Sequence, residues 1–236
     1  MTFQIFIFIL ILIIFLHKRY QYQKNNYIIN SIRKNISEIK EGDILFCFHD
    51  YYEDSHNSHL YLLMNITQHL YTNKFFTHCG IVVKTDNGLG VLNLSFQPQY
   101  DIIKNKYTIT ENVVVDLNSF INLHFGSIFL YKCSLKDKRQ INSAIIHYHK
   151  KRNRKIVTNV PHWIIGGIFD VNYFRKKGGA ETCYQFIDCF LCQFYKKYDK
   201  KKNPTAVTLE RKIKKLDYQG PYLIPNLYTQ KYFNIY

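Results

Sequence analysis

Three features of the 236-residue sequence predict an α+β fold built on an antiparallel sheet. Short apolar runs, "ILFCF", "HCGIVV" and "VLNL", have strand length and are bounded by turn residues. Two of them, "FTHCGIVVK" and "VLNLSF", flank "TDNGLG" and read as a hairpin. Segments with helical apolar spacing lie on both sides of this block, which is a mixed rather than an alternating pattern.

In chain order, "EGD" at 41–43 is a turn signal that opens the strand Ile44 to Phe48. Leu60, Leu63, Met64 and Ile66 to Leu70 suggest a helix. The hairpin follows, then two further strands, "NVVVDL" and "SIFLYKC". "DKRQINSAIIHYHKKR" reads as a helix with a basic end, and "VPHWIIGGIFD" as an apolar segment bounded by glycine. A helix starting at Cys183 comes next. The tail "GPYLIPNLYTQKYF" contains two prolines and is expected to be extended along the surface.

Residues 3–16 are apolar apart from Gln4. The run is short for a span of about 20 residues, and it lacks the basic n-region and small-residue cleavage site of a signal peptide. Its positive flank, "HKR" and Lys24, lies after the run, which places the body on the cytosolic side of a membrane. The expected organisation is an uncleaved anchor at 1–19, a polar, partly helical connector at 20–40 and a catalytic domain at 41–236. A cleaved signal is the alternative.

The formal net charge is +15, with basic clusters at 150–155, 175–177 and 196–215. Such clusters suit anionic lipid headgroups, and no nucleic-acid-binding signature accompanies them. A solvated surface on a chain from an AT-rich genome is the plainer explanation. The six cysteines form no secreted disulfide framework. Cys47, Cys79 and Cys133 lie in apolar runs, and Cys189 and Cys192 fall mid-helix; all five read as structural.

Cys183 differs. Thr182 is a natural N-cap with Gln185 three residues on, a capping-box pattern that makes Cys183 the first helical residue. Phe186, Ile187, Phe190, Leu191 and Phe194 share its face, so the thiol sits at the rim of a core. A helix N-terminus favours a thiolate and can hold an oxyanion. Of ten histidines, His78 alone opens a core strand, with Gly80 two residues on as a gap for another element. A structural histidine is the plain alternative there. "HDYYEDSHNSH" and "CFLC" are the only metal-like stretches; neither has a matched partner set, so no metal or other cofactor is expected.

"EGDILF", "FTHCGIVV" and "ETCYQFIDCF", in that order, resemble the permuted branch of the NlpC/P60 superfamily of papain-like thiol enzymes. That branch includes YiiX-like, poxvirus-type and lecithin:retinol acyltransferase-like proteins. The resemblance spans about residues 41–195. It implies a circularly permuted papain-like fold, with Cys183 as nucleophile and His78 as general base. The residue that orients the imidazole falls on the next strand, at Asn93 where a carboxylate is commoner, with Ser95 as the fallback. Asp43 matches the Gly-Asp of the pattern, in a site-adjacent or turn-fixing role. The expected activity is cysteine hydrolysis of a peptide, amide or isopeptide bond at a membrane. Transfer of a lipid acyl chain is the alternative substrate class, and a catalytically silent tethered binding protein is the alternative outside enzymes.

Overall fold

The computed structural model describes residues 2–49, 66, 69–70, 75–94, 98–108, 112–133, 142–143, 146, 183, 187–188, 191, 206–216 and 218–236. Eight strands are described: β1 (Ile44–His49), β2 (His78–Thr85), β3 (Gly88–Leu94), β4 (Gln99–Asp101), β5 (Lys106–Thr108), β6 (Asn112–Asp116), β7 (Gly126–Lys132) and β8 (Gln219–Ile224). Six form one antiparallel sheet in the order β6-β3-β2-β1-β7-β8, and β4 and β5 pair separately. With the helices on its faces, this is an α+β architecture.

The apolar runs give this sheet because both of its faces are covered. Along β1, Ile44 and Phe46 enter one cluster and Leu45 and Cys47 the other, all fully buried. A strand buried on both faces has no polar alternation to show, which is why it reads as a continuous apolar run. Each such side chain contributes about 1.5–3 kcal/mol relative to exposure. The hairpin forms where expected: Thr85 pairs with Gly88, leaving Asp86–Asn87 as a two-residue turn.

One face carries the end of the N-terminal helix through Ile28, the helical residues Ile187 and Leu191, and the helix Ala206–Lys214 through Leu209 and Ile213. The other carries the short helix Leu117–Asn122 through Leu117, Phe120 and Ile121. Polar ties hold the first layer. The Tyr131 hydroxyl donates to Glu210 at 2.6 Å, and Lys214 pairs with Glu210 at 2.8 Å. Lys212 meets Asp188 at 2.7 Å, which clips Ala206–Lys214 to the segment bearing Cys183.

Two segments carry more structure than the sequence predicts, the first being the connector, which is partly helical as expected but docked. The N-terminal helix runs unbroken from Thr2 to Ile29, through the start of the expected connector. Its buried residues Tyr20, Lys24 and Ile28 recur every four positions, one face of a helix. Tyr20 packs on Phe48 and Phe75, and Tyr27 on Phe75, Phe76 and Phe129. The stripe is hidden in the sequence because it is made of tyrosine and lysine within a polar stretch. The tail, expected to be extended along the surface, instead supplies β8 and the helix Leu227–Phe233. Pro221 is tolerated because β8 is the last strand of the sheet, and among the described residues its outer side meets only the segment around Arg33, where Leu223 N donates to Ile32 O at 2.8 Å. Asn226 starts the helix by a reciprocal cap with Thr229, at 3.0 and 2.9 Å. The expected helices around 60–70 and 137–152 lie largely outside the described residues, where Ile66, His69, Leu70, Asn142, Ser143 and Ile146 are helical.

Candidate active site

The sheet register assembles the site. His78, the first residue of β2, is the partner of Cys47 on β1. Two residues on, Gly80 pairs with Asn93 of β3. A side chain on Gly80 would meet Val91 Cγ1 at 2.6 Å and Asn93 Cβ at 3.3 Å. The bare backbone therefore lets Asn93 lie across β2, on the face where His78 stands. Gly80→Ala is expected to cost about 1–3 kcal/mol by overpacking, read as a lower denaturation midpoint.

Asn93 is buried, and its Nδ2 donates to Val91 O at 3.4 Å. Its side chain bonds to the His78 ring. On the other side the ring bonds to the Cys183 thiol. Cys183 is helical and half-buried, and packs against the cluster containing Cys79, Ile187 and Leu191. Ile187 and Leu191 follow it at four and eight residues, so the buried stripe expected from Cys183 forward is present where described. Cys183, His78 and Asn93 thus form one bonded chain.

The electrostatics favour the charged form of both groups. Burial pushes the Cys183 thiol up, but bonds from Cys79 and the charge and bond of His78 outweigh it and hold it well below the ordinary thiol value. Burial pushes His78 down, yet the Cys183 charge, the Cys183 bond and the Asn93 bond raise it overall. An amide oxygen accepting from a ring N–H favours the protonated ring in this way. Cys47 and Cys79 behave oppositely: burial drives both thiols up, joined at Cys47 by the neighbouring Cys183 charge and at Cys79 by the bond to Cys183 and then its charge. Their environment thus favours the neutral thiol, the opposite of Cys183.

Cys79 is the contributor that sequence reasoning missed. Alternation along β2 sends it to the face opposite His78, which suggests plain core. Its S–H nevertheless bonds to Cys183. Phe120 was also missed; its ring centroid lies 6.4 Å from that of His78. Cys79→Ala is expected to raise the Cys183 pKa, so that alkylation slows at low pH and recovers at high pH.

Asp43 takes the turn-fixing role and not the site-adjacent one. Its carboxylate accepts from Cys133 N at 2.7 Å and Lys40 N at 2.8 Å, and its carbonyl accepts from Val82 N at 2.8 Å. Val82 is four residues along β2 from His78, roughly 13 Å. Ser95 and Thr182 lie outside the described residues, as do Gln185, Cys189 and Cys192 and the three basic clusters apart from residues 206–215. Among the described residues, no group of three or more His, Cys, Asp or Glu side chains is placed to hold a metal ion. One described helix, Gln4–Ile29, is long and apolar enough to cross a membrane. Neither a protein-family model nor a curated protein matches the chain.

Proposed function

We propose that the chain is a membrane-anchored cysteine hydrolase of the permuted NlpC/P60, papain-like kind, cleaving an amide or peptide bond through an acyl-thioester on Cys183. The observation that carries this reading is the bonded chain Cys183–His78–Asn93 with a lowered thiol and a raised imidazole. His78 holds the thiol proton, and the thiolate attacks the carbonyl carbon. The tetrahedral oxyanion is met by backbone N–H groups at the start of the Cys183 helix. Its collapse breaks the C–N bond, and the leaving amine takes the proton from His78. Water then attacks the thioester and gives a proton to His78, and collapse of the second tetrahedral intermediate breaks the C–S bond, releasing the acid and the Cys183 thiolate. Asn93 keeps the ring in one tautomer through both steps, as a neutral stand-in for a carboxylate.

A second reading, transfer of a lipid acyl chain by the same residues, is favoured by the exposed apolar helix ahead of the body. Residues 3–16 would hold the protein in the membrane, with Lys18 and Arg19 keeping the body on the cytosolic side. The test is intact-mass analysis of the full chain in detergent after exposure to a short-chain aryl ester. One acyl group on Cys183, absent from Cys183→Ala, is the expected result. No acylation, or acylation shared among the other cysteines, leaves a tethered binding protein.

A further inference from the structure

The sheet has two dissimilar ends. At one end lie the turn at Lys40–Asp43, the Asp86–Asn87 hairpin tip, Asp116 and Lys132, all polar. At the other lie Phe48, Phe75, His78, the Leu123–Phe125 loop and Leu227. This second end carries large apolar side chains that water can reach. Leu123 is 74% exposed, Leu227 58%, Phe125 57% and Leu70 53%. They belong to this end by direct contacts. His124 bonds to Phe48 O at 3.3 Å, His69 stacks on Phe75 at 4.1 Å, and Asn226 donates to Gly126 O at 2.9 Å.

The N-terminal helix leaves the body from this same end. Leu16 and Tyr20 pack on Phe48, Ile66 and Phe75, and Gln23 bonds to His69 at 2.8 Å. Lys24 lies over Phe48 at 5.2 Å. From Ile5 to Phe15 every large apolar side chain is exposed. The helix is therefore fixed to the body along its second half and bare along its first. Thr2 to Leu16 rises only about 21 Å, against roughly 30 Å of bilayer hydrocarbon. A short apolar helix that crosses must bring its flanks inward.

We infer that the end of the sheet bearing His78 and Cys183 rests on the lipid bilayer, with Leu70, Leu123 and Phe125 in the interface and the Asp86–Asn87 hairpin pointing away. The partner is a phospholipid surface. Exposed Lys18 and Arg19 stand at headgroup height, one turn below the bare helix. The stiff, docked helix sets the height of the pair, as a flexible linker would not. Together with the hydrolase reading, on which this consequence rests, the seat restricts substrates to carbonyl groups presented at the membrane surface.

Tryptophan depth measurement tests the seat without any chemistry. Trp163, the chain's one tryptophan, is replaced by phenylalanine, and Leu123→Trp or Asp86→Trp is added at an exposed position. The full chain is reconstituted into phosphatidylcholine/phosphatidylglycerol vesicles containing a phosphatidylcholine with a nitroxide on its headgroup. The expected result is several-fold quenching of the Leu123→Trp reporter and an unchanged Asp86→Trp reporter, about 26 Å along β2 from His78. Equal quenching, stronger quenching of Asp86→Trp, or none for either overturns the seat. Adding Cys183→Ala should change nothing, so loss of the hydrolase reading and loss of the seat are separate results.

Discussion

His78→Ala is expected to lower the rate of Cys183 acylation by about 10²–10⁴-fold, measured with the aryl ester in detergent. Two effects compound. On the proposed mechanism the variant loses the group that receives and returns the proton, and Cys183 keeps its burial while losing the favourable charge of His78. Burial is the largest influence on that thiol and acts upward, so the pKa should climb and the thiolate vanish at neutral pH. The sign with pH follows from the wild-type pair. The thiolate is lost as pH falls through the lowered Cys183 value, and the imidazolium as pH rises through the raised His78 value. The acylation rate of the wild type should therefore be bell-shaped, and that of His78→Ala should only rise with pH. Asn93→Ala should narrow the bell from its alkaline side, because the bond that helps raise His78 is gone.

Asp43→Ala is expected to be among the most destabilising single changes, at about 3–5 kcal/mol. The carboxylate is fully buried and accepts from two backbone N–H groups on different segments. Removing it leaves both donors without that acceptor. It also loosens the corner where Gly42 N donates to Val82 O at 2.8 Å and the Tyr218 hydroxyl donates to Gly42 O at 3.1 Å. Asp43→Asn, which keeps one acceptor oxygen, should lose less. Because Asp43 is at the end of the sheet away from His78, folded Asp43→Asn should alkylate at Cys183 with the wild-type pH profile. Denaturant unfolding and the alkylation profile read the two effects separately.

The strands β1, β2, β3, β6 and β7 were legible because each is a short apolar run between turn residues. The hairpin was legible because Asp-Asn-Gly permits only a tight turn there. The docked half of the N-terminal helix was not, since Tyr20, Lys24 and Tyr27 count as polar or amphipathic in sequence yet pack against the aromatic rings of the body. β8 was obscured by Pro221 within it and Pro225 just after it, a proline being tolerated in the last strand of a sheet. At the site, the capping pattern points to Cys183 and the strand-opening position to His78, but a structural histidine is the plainer reading there until the resemblance pairs the two. Asn93 came from the resemblance; the register Gly80–Asn93 supplies the physical reason that it reaches the ring. Cys79 was illegible because its bond to Cys183 depends on how a helix far along the chain meets the start of β2. No local spacing encodes that.

The pH dependence of Cys183 alkylation is the sharpest probe of the coupling between Cys183 and His78. The full chain in detergent is treated with a mild, stoichiometric thiol electrophile from pH 5 to 9, and adducts are located by mass spectrometry in wild type, His78→Ala and Cys79→Ala. Cys183 is expected to react first below pH 7, about 10–100-fold faster than an ordinary thiol, with that advantage lost in His78→Ala and reduced in Cys79→Ala. Labelling of Cys183 no faster than an ordinary thiol, and indifferent to His78, would contradict that coupling.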